Sequence, residues 1–283
     1  MGHRVVTGSV QKIAVVVWPI MIGVGYWIGY LFAQGVPQWP PLVASEWMPT
    51  VVLPAVLIVG LVCGLHQFAW WFEDAMWVVI IIIAIAILLR QRVPQTLALG
   101  HAVARVVGLG LPVSLFTIVL SRVERRLYGG TIPVVIMMVM VGASACLMMG
   151  GYATLVPATL ALGGAVVAGS LLSVCFFYTV VSCGLIRICL VLLVGQLVLG
   201  KFYAELPLTE MVLLSVALPA ISVVLLPVIG QKSYWQIRFW CVLASGIPVL
   251  VAVTISGLKY AATAATSYNF CLLYTSPSPR DRG

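Results

Sequence analysis

Charge is what this sequence lacks most. Only 8% of its 283 residues are charged, with 15 Lys/Arg against 7 Asp/Glu, while 63% are apolar. A soluble domain carries about 25% charged residues, and so sparse a set cannot coat a folded surface of this size. A soluble enzyme, a disordered chain and a fibrous protein are excluded on that ground. Histidine is scarce as well: His3, His66 and His101 are the complete set. There is no glycine-rich phosphate loop, no H-E-x-x-H and no C-x-x-C. No Ser or Cys nucleophile has an evident histidine partner on a neighbouring segment. These absences point away from an enzyme, and neither a metal nor a cofactor is expected.

What the chain has instead is long apolar runs. Residues 78–89 read VVIIIIAIAILL, without the alternation that a barrel strand requires. Lipid leaves only closed barrels or helices, so the runs are helices. A helical span needs roughly 20 apolar residues. Nine segments approach that length: 13–33, 51–66, 75–90, 104–121, 131–149, 152–174, 177–199, 208–229 and 239–258. The expected fold is therefore all-α, a polytopic transmembrane helix bundle of about nine spans, within eight to ten. The weakest boundary lies between the sixth and seventh segments, where no charge occurs from Tyr152 to Ile186. Gly150 and Gly151 predict a tight turn between the fifth and sixth.

Residues 1–270 read as one integral-membrane domain, since no linker leaves room for a soluble one. Residues 271–281, CLLYTSPSPRD, resemble the conceptual translation of a transposon-based sequencing adapter. Residues 271–283 are accordingly set apart as an artefactual tail, with the natural C-terminus expected beyond Phe270. Without Arg280, Arg282 and Asp281 the formal charge falls from +8 to +7. Cys63, Cys146, Cys175, Cys183, Cys189 and Cys241 remain, all in or beside apolar segments, where a free thiol behaves as a small hydrophobe.

Lys and Arg in short loops orient a membrane protein. With the N-terminus inside, that side holds Arg4, Lys12, Arg122, Arg125, Arg126, Lys232 and Arg238, with Arg187 near a boundary. The outside holds Arg90, Arg92, Arg105, Lys201 and Lys259. The expected location is the cell (cytoplasmic) membrane, N-terminus cytoplasmic. Arg90/Arg92 and Arg122–Arg126 flank the same segment on both sides, so the second or fourth segment is a candidate for re-entry. The basic excess flanks spans and does not point to nucleic acid; the expected partner is the bilayer, with any protein partner unspecified.

Few positions are left for chemistry. HQFAWWFEDAMW, residues 66–77, places His66, Glu73 and Asp74 among three tryptophans. Carboxylates beside an imidazole bind a cation or relay a proton; an interfacial Trp belt accounts for the same residues more simply. Arg187 lies inside an apolar run. Either it pairs with Glu205 or Glu210, or it snorkels to the interface at lower cost. Glu210, at the start of the eighth segment, fits a helix cap and the macrodipole, or a cation site just inside the membrane. Arg90, Arg92, His101 and Arg105 are candidate contacts for an anionic headgroup, His101 and Arg105 sharing a helix face. The loop 34–50 carries four prolines with Trp39 and Trp47, which anchor it at the interface. Gly25/Gly29 and Gly60/Gly64 are spaced for close helix packing within the chain.

Functionally, the pattern leans to a small transporter or permease-like membrane subunit. A non-catalytic scaffold or assembly subunit is the alternative, and an intramembrane enzyme acting on lipids has only the Arg/His cluster behind it.

Overall fold

The computed structural model describes residues 8–65, 69–90, 99–124, 131–151, 155–172, 185–204, 206–226 and 233–274. Among the described residues it is helical apart from short connecting stretches, without strands. In chain order the helices are α1 (Gly8–Gln34), α2 (Ala44–Trp47), a π turn (Met48–Val52), α3 (Leu53–Leu65), α4 (Trp70–Leu89), α5 (Leu99–Glu124), α6 (Thr131–Met149), α7 (Val156–Leu172), α8 (Leu185–Ala204), α9 (Leu208–Ala217), a 3-10 segment (Pro219–Leu225) and α10 (Tyr234–Tyr274). Because α2 runs through the π turn into α3, and α9 into the 3-10 segment, these form nine rods among the described residues. Each rod overlaps one of the nine apolar segments.

Four of these helical stretches are long and apolar enough to cross a membrane: Ala44–Cys63, Trp71–Leu89, Thr131–Met149 and Trp235–Thr263. Three others are apolar but shorter: Val106–Leu120, Val156–Gly169 and Leu208–Ala217. The second apolar segment, short in the sequence, is lengthened backwards by α2. Glu46 makes this possible. Its carboxylate accepts the backbone N–H of Leu42 at 2.8 Å and of Val43 at 3.2 Å, satisfying donors ahead of the helix. The loop expected over 34–50 therefore shrinks to its first part, and Trp47 sits in helix with the Arg90 guanidinium 5.9 Å over its ring. The fourth segment, the other candidate for re-entry, is one continuous helix through Pro112.

Sharp turns alternate the rods. Gly35, at φ +77°, ends α1, its N–H bonded to Leu31 C=O. Gly151, at φ +87°, follows α6, its N–H bonded to Met148 C=O. Both sit in the left-handed region that glycine enters without steric cost. The Tyr203 hydroxyl donates to Leu88 C=O at 3.2 Å, so α4 and α8 finish together. We call the end where α4, α8 and α10 begin proximal and the other distal.

The centre of the bundle is α8. All fourteen residues from Arg187 to Gly200 are buried, and α8 packs against α1, α3, α4, α5, α6, α7 and α9. A helix apolar on every side is an interior helix. By contrast α10 lies at the edge against α6, α9 and the 3-10 segment, with Trp235, Phe239, Ile247, Leu250 and Leu258 exposed. Buried hydroxyls bond inside their own helices: Ser114, Thr117 and Ser144 each donate to the carbonyl four residues back. That satisfies a polar group without water.

Small residues set the closest contact. A Cβ on Gly25 would lie 2.3 Å from Ala165 Cβ, and one on Gly29 would lie 2.3 Å from Ala161 Cβ and 2.8 Å from Pro157 O. The Gly25/Gly29 pair thus packs α1 against α7 within the chain, as its spacing predicts. A Cβ on Gly60 would lie 2.9 Å from Ile188 Cδ1 of α8, the far end of a flexible side chain and so a less rigid contact.

At position 29 the obstruction includes backbone, so it cannot be relieved by a side-chain rotation. Gly29→Ala is expected to cost roughly 1–3 kcal/mol, read as a lower Tm in detergent by tryptophan fluorescence. Gly164 of α7 has open space around its Cβ direction, so Gly164→Ala is the matched control and should hold or raise Tm. Equal Tm values for the two variants would contradict the α1–α7 seam.

Candidate functional site: polar groups along a buried helix

Arg187 is the third residue of α8 and 4% exposed. It does not snorkel, and Glu210 is not its partner; Glu205 lies outside the described residues. Its Nη1 lies 2.7 Å from Glu73 Oε1 and 3.9 Å from Asp74 Oδ1, in the first turns of α4. The guanidinium also stands 5.8 Å over the Trp77 ring, a cation–π geometry. Cys63, near the end of α3, is within electrostatic reach of all three charges. The reason is topological: α3 ends where α4 and α8 begin, so residues more than a hundred positions apart meet at the proximal end. Glu73 and Asp74, adjacent in sequence, would repel each other in a low-dielectric setting; the shared guanidinium offsets that.

Glu210 is at the opposite end. The residue before α9, Pro207, makes no side-chain cap, and Glu210 does not act as one. It is 2% exposed and turns to α10, accepting from the Ser256 hydroxyl and from Lys259 Nζ at 2.9 Å. One carboxylate thereby ties α9 to α10 at the distal end. Arg187 and Glu210 do not converge on a common cavity.

A third cluster was not foreseen. Gln196 is fully buried about 16 Å along α8 from its start, near the midpoint of the helix. The hydroxyl of Thr159, on α7, contacts its Oε1 and also donates to Leu155 C=O at 3.0 Å. Tyr26 of α1 lies beside the same amide. Gln196 Nε2 is buried with no hydrogen-bond partner. In sequence, the signal was a lone amide in LVLLVGQLVLG; its partners come from helices 1 and 7 and carry no local pattern.

The remaining expected positions divide in two. Arg90 is exposed at the end of α4, over Trp47. His101 and Arg105 belong to the first turns of α5, four apart, with their side chains outside the described set. His66, Arg92 and Glu205 lie outside the described residues. Among the described residues no group of three or more His, Cys, Asp or Glu is placed to hold a metal ion.

The two ionic clusters can be separated by mutant cycles in detergent. Removing one partner of a buried pair costs about 3–5 kcal/mol at full burial; the partial exposure of Glu73, 21%, lowers that. Arg187→Leu should destabilise strongly alone and less in a Glu73→Gln background, a coupling of about 1 kcal/mol or more. Arg187→Leu and Glu210→Gln should add independently. Coupling of Arg187 to Glu210 but not to Glu73 would overturn the assignment. In comparisons with known proteins, the chain matches no protein-family model, no curated protein and no solved structure.

Proposed function

We propose that the chain is a multi-pass integral protein of the cell (cytoplasmic) membrane, working as a small transporter or permease-like membrane subunit. Its main support is the row of polar side chains on α8, the helix buried among its neighbours from Arg187 to Gly200. Arg187, Gln196 and Tyr203 occupy the proximal, middle and distal thirds of α8. Ionisable or amide groups at membrane depth cost free energy, so on an interior helix they are functional candidates by default. The charged groups close the two ends, Arg187 with Glu73 and Asp74, and Glu210 with Lys259. The polar trio lies between them.

Nine spans with a cytoplasmic N-terminus complete this reading. Alternating rods put Arg122, Arg187 and Arg238 at the proximal end and Arg90, Lys201 and Lys259 at the distal end. Adding the basic residues of the intervening segments leaves the proximal side richer in Lys/Arg, hence cytoplasmic. Topology reporters inserted after Gly129 and after Tyr152 should then report opposite sides, the first cytoplasmic. The same side for both would remove α6 as a span.

A second reading, a membrane scaffold or assembly subunit, is favoured by the crevice between α3, α4, α5 and α8. It is lined by apolar groups, including Val52, Ile81, Ile85, Val113 and Val191, and such a crevice stays dry. Accessibility separates the two. A transporter must wet its mid-depth site from each face in turn. In vesicles of the full chain, Thr159→Cys should add one thiol over the parent that reacts with an impermeant cationic thiosulfonate. It should react with reagent outside and, separately, with reagent loaded inside. No added labelling from either face favours the scaffold.

A further inference from the structure

The distal connection between α1 and α2, residues 35–43, turns its apolar side chains outward. Val36 and Trp39 are 83% and 78% exposed, and Leu42 and Val43 also face out. Phe32, in the last turn of α1, is 87% exposed. A contiguous apolar patch of this kind marks a surface that something covers. Trp47, the other tryptophan of this region, is half-buried in helix under Arg90, so Trp39 is the aromatic left on the outside. The loop is pinned to the body of the protein. Pro41 and Ala44 are buried, and the Glu46 carboxylate accepts the N–H groups of Leu42 and Val43 at 2.8 and 3.2 Å.

Three observations say what covers the patch. The first is continuity. On α1, Ile20, Val24, Ile28 and Leu31 face outward at helical spacing, and that stripe runs on through Phe32 into the loop. No charged residue lies between Lys12 and Glu46. The second is depth. From Lys12 to Gln34 α1 rises about 33 Å, against a hydrocarbon core of about 30 Å, so the loop begins where the distal headgroups begin. The third is the backbone. Pro37, Pro40 and Pro41 have no N–H, and the N–H groups of Gly35, Leu42 and Val43 are bonded within the chain. Those are six of the loop's nine residues, and they ask nothing of water as donors. A segment in a poorly hydrated layer requires that. A protein partner is held by polar rim groups as well as apolar area; the outward side chains here are apolar and uncharged, and they prolong the side of α1 that faces lipid.

We propose that residues 35–43 form a lipid-binding loop. It lies flat at the boundary between the headgroups and acyl chains of the distal leaflet, with Val36, Trp39, Leu42 and Val43 against lipid. Trp39 is suited to that depth, because its ring is apolar while its indole N–H has headgroup oxygens to meet. Gln38, exposed in the same loop, belongs to the hydrated side. Because Pro41 and Glu46 tie the loop to α2, it fixes the depth of both α1 and α2 at their distal ends. This rests on the reading of the chain as a multi-pass membrane protein and adds which part of its distal surface touches membrane. The competing arrangement is a patch covered by a second copy of the chain.

Tryptophan quenching on the full chain in phosphatidylcholine vesicles tests this, with the Trp39 signal taken as the parent minus Trp39→Phe. Trp39 is exposed, so the variant removes no core contact. Lipid brominated near the top of its acyl chains should quench that signal at least about twofold more than lipid brominated near their ends, as an indole at headgroup depth requires. Aqueous iodide should quench it less than it quenches free tryptophan. Adding Val36→Trp to Trp39→Phe should restore a signal with the same ranking. Stronger quenching by the deep bromines, or quenching by iodide with none by either lipid, overturns the proposal, since the loop then dips into the core or stands in water. A signal shielded from all three quenchers overturns it as well, and its return on diluting the protein in lipid identifies a second copy as the cover. The membrane reading fails separately. It falls if neither lipid quenches the parent at all, whereas a parent quenched by lipid with an unquenched Trp39 signal loses only the loop.

Discussion

Everything in this bundle answers to one constraint: α8 is surrounded by protein on all sides. In an apolar solvent a buried polar group has no water to fall back on and must be served by a neighbouring helix. Arg187, Gln196 and Tyr203 therefore dictate who stands next to α8 and at what height. Glu73 and Asp74 hold the start of α4 beside Arg187. Thr159 and Tyr26 hold α7 and α1 at Gln196, and Leu88 C=O receives Tyr203 where α4 ends. The apolar residues between them fill space, but apolar packing in lipid does little to fix register. The polar contacts fix it, because slipping α8 by one turn would strand each of them.

The two ionic clusters do different work. At the proximal end one cation serves two adjacent carboxylates, and a tryptophan face covers the guanidinium. That is a compact, mostly desolvated group. At the distal end the carboxylate of Glu210 is buried while Lys259 is about half exposed, so water shares the cation and screening weakens the pair. The first cluster joins the centre of the bundle to α4; the second fastens the peripheral α10 to α9.

Much of the architecture could be read from the residues, since long apolar runs admit few structures. Each of the nine rods falls on an apolar segment, and Gly25/Gly29 packs as its spacing implied. The errors have a common source. Snorkelling of Arg187 was favoured because it is the least costly choice for an isolated helix; α8 is not isolated, and Glu73 comes from a helix that nothing in the local sequence connects to it. Glu210 had the right position for the first turn of a helix, yet it serves α10, about fifty residues away. Short spacing rules see i to i+4 neighbours, whereas these partners are set by topology. Gln196 was overlooked for a different reason: a lone amide makes no motif.

The central position of α8 also bears on how the chain is made. Of the nine rods among the described residues it is the seventh to be synthesised, so six are made before the helix that most of them surround. Until then the acidic turn of α4 has no guanidinium, and Tyr26 and Thr159 have no amide between them. The early rods can close the α1–α7 seam, because those small residues need no third party. They must still leave a slot that α8 later fills. Assembly is thus out of chain order, with the middle of the molecule completed late.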